Sequence, residues 1–321
     1  ALLCLAGAGP TWAQTEPDPA AAEPQVQNPR PVAAGPNGQV LVTDRRHGAV
    51  VAVDRNSLEP VWSVPLPEEG APFGIAAMKG EIFVGNTSTK NVEVYKVYGS
   101  GEPDTTLRFK HNLGKVPTGA IGPFENPIGI AVDANEKLVF VLDGAVKRIE
   151  AYKPNGSFQY AFEPRDSDGA LMSPVSLAVD ELRREILVGD YGNPAPDWEN
   201  CSFCGAAAPA RILIYDYGGE LLFEIRGDRS THWSSGFARV QGMAVSADGR
   251  IFAADPLGSR ILVFDRYSGA LLEELGTQGP DEGQLMLPLD VWLDNETGDL
   301  FISNNRGVRG VEVLRGVGGQ P

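Results

Sequence analysis

Six times along this chain an apolar, β-branched run stops at Asp or Asn: VLVTD (40–44), IFVGN (82–86), VFVLD (139–143), ILVGD (186–190), IFAAD (251–255) and LFISN (300–304). A short apolar run without a 3.6-residue period, bounded by turn chemistry, is a strand with its exit turn. Recurrence of one unit in fixed order is the mark of a repeat architecture, in which each unit buries its apolar surface against its neighbours. The closing residues are Asp44, Asn86, Asp143, Asp190, Asp255 and Asn304, and the remainder of the chain can be placed relative to them.

Upstream of each lies a second recurrent segment: PVAAGPN (31–37), PFGIAAM (72–78), PIGIAVD (127–133), PVSLAVD (174–180), VQGMAVS (240–246) and PLDVWLD (288–294). The distances from its start to the closing residue are 13, 14, 16, 16, 15 and 16 residues, which accommodates two strands and a tight turn. A third strand follows in every repeat, VEVYK (92–96) and ILIYD (212–216) among them, and a fourth in five repeats, such as FQYAF (158–162). Each repeat therefore reads as an antiparallel meander. Six in series predict an all-β fold, a six-bladed β-propeller of four-stranded antiparallel blades, whose radial repetition protects the sheet edges. After VEVLR (311–315) no fourth strand is legible, and residues around Val26 are expected to complete that blade.

Where PIGIAVD, VFVLD and the third strands KRIEAYK (147–153) and SRILVFD (259–265) line up, residues 30–315 resemble the NHL-repeat family of six-bladed propellers. The resemblance implies the fold. Relatives include RNA-binding modules, lyases and scaffolds, so function must be argued from the site.

Composition narrows the classes. A formal net charge of −15, with no Lys/Arg cluster to offset it, disfavours nucleic acid as a partner. ALLCLAGAG (1–9), followed by a Pro and TWAQ, reads as the end of a signal-peptide core with cleavage after Ala13. Residues 1–13 are then a signal remnant, 14–30 a flexible Pro/Ala/Glu-rich leader and 31–321 the propeller. No other stretch approaches the roughly 18 apolar residues of a membrane span. The expectation is an exported protein, periplasmic or extracellular, without a transmembrane segment.

In a meander, the second-to-third-strand turns share a face with the crossovers between blades. From closing residue to third strand the offsets are 6, 6, 6, 22, 6 and 7 residues, which isolates an insertion in blade 4. The crossovers hold 7, 17, 11, 14 and 12 residues, whereas turns of the opposite face, such as SADGR (246–250), are minimal. Long loops on a rigid scaffold are where function concentrates. This looped face is therefore the expected working face. It collects Arg45, Arg46, Arg306, Asp190, the histidines His47, His111 and His232, and the aromatics Trp198, Phe203 and Trp233.

Cys201 and Cys204 have the spacing of a redox dithiol, half a zinc site or a haem attachment, but Gly205 stands where haem attachment needs His. In an exported chain a disulfide stapling the insertion is the expected state. The three histidines occupy non-equivalent loops and are expected to be solvated, not a zinc site like that of the amidating lyases that share the fold. The Asp/Asn ring could hold a hard cation. Asp and Asn are also what such turns require, and Arg148, Arg211 and Arg260 open the third strands of blades 3, 4 and 5. Structural pairing of Asp with Arg is the expected use of the ring. No cofactor is expected, with calcium or zinc as the alternative. The function that follows is a non-catalytic binding or scaffold propeller that docks a protein partner or an extended ligand on its looped face, within an envelope or extracellular complex, redox assemblies included. The competing reading is a metal-dependent propeller enzyme, a lyase or lactonase-like hydrolase.

Overall fold

The second and third strands of the repeats have no polar face: Gln39–Asp44, Leu138–Asp143 and Glu185–Asp190 are buried at every position. Strands buried on both faces belong to sheets packed on both sides, and a ring of blades supplies that packing. The computed structural model describes residues 26–67, 70–99, 105–114, 124–166, 169–192, 209–227, 237 and 239–319. It is a six-bladed β-propeller of antiparallel meanders.

Blade 1 comprises Pro29–Ala34, Gln39–Asp44, Ala49–Asp54 and Pro60–Pro65. Blade 2 comprises Pro72–Met78, Glu81–Asn86, Asn91–Tyr98 and Thr106–Leu113, and blade 3 Pro127–Asp133, Leu138–Asp143, Arg148–Tyr152 and Phe158–Phe162. Blade 4 comprises Pro174–Asp180, Glu185–Asp190, Arg211–Asp216 and Leu221–Arg226, and blade 5 Met243–Val245, Arg250–Asp255, Arg260–Asp265 and Leu271–Leu275. Blade 6 has three strands among the described residues, Pro288–Asp294, Asp299–Asn304 and Val311–Leu314.

Packing follows the ring. Six apolar clusters fill the six blade-to-blade interfaces, one for each neighbouring pair. Leu41 and Trp62 of blade 1 meet Ile75 and Ile82 of blade 2, and Phe301 and Val311 of blade 6 meet Val32 and Val42 of blade 1. Fourth strands have a single neighbour face and are correspondingly wet, as in the largely exposed Leu271–Leu275.

The structure shifts three boundaries. Pro29 pairs with Asp44 as Pro127 pairs with Asp143, so the first strand begins two residues before the PVAAGPN segment and before residue 31. The second proline, Pro31, made the later start look like the repeat. The fourth strand of blade 2 runs on to Leu113, with His111 opposite Val94. Of the residues around Val26 expected to complete blade 6, Val26 itself pairs with no strand among the described residues and is buried between blades 6 and 1, and the residues before it lie outside those described. Phe124, Leu171, Phe237 and Leu285 stand three residues before their own repeat segments, as Val26 does before Pro29, and all four are buried. Val26 is thus one of a set of apolar plugs on the incoming crossovers.

The closing residues hold those crossovers in place. Asp143 is fully buried and accepts backbone N–H groups from two directions: Glu125 (2.7 Å) and Asn126 (3.0 Å) on the crossover, Ala145 (3.1 Å) and Val146 (3.4 Å) in its own turn. Asp190 does the same with Met172, Ser173 and Gly192, Asp44 with Gln27 and Arg46, and Asn86 with Ala71 and Ser88. Asn304 accepts from Met286 at 2.7 Å. A buried donor left without an acceptor costs about 1–3 kcal/mol. Asp143→Ala is therefore expected to destabilise the fold by about 3 kcal/mol or more. Asp143→Asn keeps the Oδ1 acceptor that takes three of the four N–H groups and should cost far less. Urea unfolding of the two variants checks the order, and equal losses would contradict it.

Candidate functional site

The residues singled out in the sequence are only partly brought together. Arg46 and His47 follow Asp44 in an exposed turn, with His47 Nδ1 2.9 Å from Asp44 Oδ2. Arg306 is exposed in the turn after Asn304, its N–H donating to Met286 O at 3.1 Å. His111 departs from its expected loop: it lies within the fourth strand of blade 2, its Nε2 2.9 Å from Pro154 O in a blade 3 turn on the opposite side. Strand pairing continues past Phe109, and that carries His111 onto the outer rim, away from His47. Trp198, Phe203, His232, Trp233, Cys201 and Cys204 lie outside the described residues.

Around the ring, Arg211 Nη2 donates to Asp190 Oδ2 at 2.7 Å and Arg260 Nε to Asp255 Oδ2 at 3.1 Å. Arg148 instead turns to Glu150, a buried carboxylate two residues on that faces the same side of its strand. Leu213 and Leu262 occupy the place of Glu150 in blades 4 and 5, leaving Arg211 and Arg260 free to reach the ring. Burial raises the pKa of Asp255, against the N–H of Gly258 and the Arg260 guanidinium that lower it. Among the described residues, no three His, Cys, Asp or Glu side chains are placed to hold one metal ion.

A different constellation stands where the first strands converge. They line a central cavity of about 520 Å³, within the usual range for small-ligand sites. Its mouth on the looped face gathers cations and aromatic rings from opposite sides of the ring. Arg30 and Arg45 of blade 1 both lie over Phe73 of blade 2, 5.2 and 5.9 Å from the ring centre. Arg239, on the crossover into blade 5, lies 4.9 Å over Tyr191, which follows Asp190. Burial and the neighbouring Arg45 charge lower the pKa of Arg30, while burial pushes the Tyr191 hydroxyl up to about 12. None of these three arginines has a carboxylate partner among the described residues, and Arg30 Nε is buried without any hydrogen-bond partner there. Arg30 is half-buried while Arg45 and Arg239 are exposed at the rim, and like charges gathered in this way favour an incoming anion.

Below the mouth sits Asp290. Its column in the repeat otherwise holds Pro31, Gly74, Gly129, Ser176 and Gly242, small residues because the strands nearly touch. A Cβ on Gly242 would stand 1.9 Å from Asp290 Oδ1. Asp290 Oδ2 accepts Val32 N–H at 2.9 Å, joining blade 6 to blade 1. Burial pushes its carboxyl up to about 7, against the lowering effect of the Val32 and Val291 N–H groups. It can therefore exchange a proton near neutrality.

Arg30, Tyr191, Arg239 and Asp290 were not among the residues expected to act. Arg30 fell in the presumed leader, and Arg239 and Tyr191 are isolated in long connections. Asp290 alone carried a signal, as a carboxylate in a column of small residues.

No family model matches the chain, and no curated protein matches it. Solved structures resemble it in fold. A hydrazine synthase structure from Kuenenia stuttgartiensis aligns with TM-score 0.61 at 13% identity over 90% of this chain and 96% of that one. Virginiamycin B lyase from Staphylococcus aureus aligns with TM-score 0.55 at 13% identity over 91% and 85%. A chain of a nidogen/laminin complex aligns with TM-score 0.53 at 15% identity over 80% and 82%. At these identities the likeness concerns the fold, which here serves both enzymes and a protein complex.

Asp290 makes stability depend on pH. Its folded pKa, about 7, lies above the usual carboxylate value, so the folded state holds the proton more tightly. Its stabilising contribution is full below the unfolded pKa of about 3.9 and is lost as pH rises through about 7. Asp290→Asn should be near neutral at pH 4 and should raise the melting temperature relative to the parent at pH 8. Parallel melting curves that keep the same spacing across this range would contradict the assignment.

Proposed function

We propose that this chain is an exported NHL-type binding propeller whose looped face captures a ligand through an anionic group. The observation that carries the proposal is the trio Arg30, Arg45 and Arg239 at the channel mouth. They form a local concentration of cations without carboxylate partners among the described residues, on a chain of net charge −15. The trio spans blade 1 and the crossover into blade 5, so a ligand bound there touches both sides of the ring. Phe73 and Tyr191 beneath the guanidinium groups keep their planes oriented and offer apolar area to the same ligand. Export and a periplasmic or extracellular setting rest on residues 1–13. Membership of the NHL group rests on the repeat motifs, and docking of a protein partner on the concentration of long loops. The alternative, a metal-dependent lyase or lactonase-like hydrolase, draws its support from Asp290, whose near-neutral pKa suits proton transfer.

Citrate, a compact tricarboxylate, is a suitable probe. Isothermal titration at low ionic strength is expected to show binding to the full chain. The double variant Arg45→Gln, Arg239→Gln should weaken it about tenfold or more, because charge-assisted hydrogen bonds contribute about 1.5–3 kcal/mol each. Salt at about 0.5 M should suppress it through screening. Absence of citrate binding, or binding untouched by the double variant, refutes anion capture at this mouth.

A further inference from the structure

The walls beneath the arginines point to what the rest of the ligand is. Along the cavity the side chains partly open to the channel include Phe73, Ala77, Val132, Val179, Val245 and Trp292, contributed by five blades. Polar side chains are confined to levels near the ends, Gln241 and Asp290 just below the looped mouth and Asn135, Glu181 and Asn295 at the opposite one, while the inner edges of the first strands add backbone N–H and C=O groups between them. A first strand of seven residues makes the passage about 20 Å long.

A compact anion at the mouth would leave the apolar side chains of that passage against water, whereas a ligand with an apolar extension would cover them. A volume of about 520 Å³ drawn out over that length is a narrow bore, which suits an unbranched hydrocarbon tail. The two mouths also differ in charge. At the looped end three arginines, Arg30 with its Nε buried and without a partner among the described residues and Arg45 and Arg239 at the rim, stand against the single carboxylate Asp290, whereas Glu181 lines the far end. A negatively charged head is therefore drawn to the arginine end and repelled from the other, which fixes the direction of entry.

We propose that the central channel binds a single-chain amphiphilic acid, its anionic head held by Arg30 with Arg45 and Arg239 and its apolar tail running down the channel between the blades. This rests on the anion-capture reading and extends it by naming the ligand class. The free acid is the committed ligand, entering from solution, with no bilayer required.

The experiment titrates the full chain with straight-chain carboxylates of rising length, from hexanoate to tetradecanoate, below their micelle concentrations. Calorimetry provides the readout, with the change in tryptophan fluorescence that is lost in Trp292→Phe as a second one. Each added methylene is expected to tighten binding about fourfold until the channel is filled. Arg30→Gln should weaken every member by a similar factor and leave the chain-length slope unchanged. Ala77→Leu should lower the length at which the slope flattens, and Ala34→Leu provides a second obstruction in another blade should the first variant fail to fold. Dodecanol serves as a tail without a charge and citrate as charge without a tail. Citrate binding with no chain-length dependence among the carboxylates overturns the amphiphile and leaves anion capture standing. Dodecanol binding as tightly as dodecanoate, with Arg30→Gln silent, overturns both. Association with phosphatidylglycerol vesicles without any binding of the free acids overturns the single-chain ligand.

Discussion

Each blade of this propeller has two apolar faces and can cover neither by itself. That constraint governs the rest of the molecule. Strands with no polar face are insoluble until another sheet lies on each side, so the repeat is stable only as part of a closed set. The clusters between blades are accordingly of one kind, including the cluster between the last blade and the first. Angular position is set by backbone hydrogen bonds gathered on Asp44, Asn86, Asp143, Asp190 and Asn304, each of which ties a second-strand exit to the crossover arriving from the preceding blade or, at Asp44, from the leader. Apolar contact supplies the cohesion, and these few acceptors supply the geometry.

The repeat was legible because its cause is local. A strand buried on both faces must be continuously apolar, and a buried turn after it must offer an acceptor, so VFVLD and ILVGD announce themselves. Where a second local signal competed, the sequence misled: Pro31 hid the true opening at Pro29, and the fourth strand of blade 2, expected over TTLRF (105–109), continues to Leu113 through residues with little apolar signal. The plugs Val26, Phe124, Leu171, Phe237 and Leu285 recur in five of the six repeats, Glu69 standing at that place in the sequence of blade 2. Their residue types vary, however, and a single apolar side chain in a loop has no period to betray it.

The candidate site was much less legible, for the same physical reason reversed. Arg30, Arg45, Tyr191 and Arg239 are far apart in the chain and meet only because the ring brings blades 1, 4 and 5 to one axis. The looped face was recognisable from the distribution of insertions, but not the point on it where charge concentrates. The histidines illustrate the converse: three of them assigned to one face by loop counting do not form one group, since His111 sits on the outer rim.

Among the described residues, the seam between blades 6 and 1 is held by side-chain contacts. Asp290 reaches Val32 N–H across 258 positions of sequence, Arg55 pairs with Asp294, and Arg315 donates to Arg55 O at 2.7 Å. During synthesis the exposed flank of blade 1, with Val32, Val40 and Val42, therefore waits for nearly the whole chain before its cover exists. Long-range closure of this kind is slow, and uncovered apolar sheets associate with whatever is near. The last interface to form is thus the one that decides whether a nascent ring closes on itself or on a neighbour.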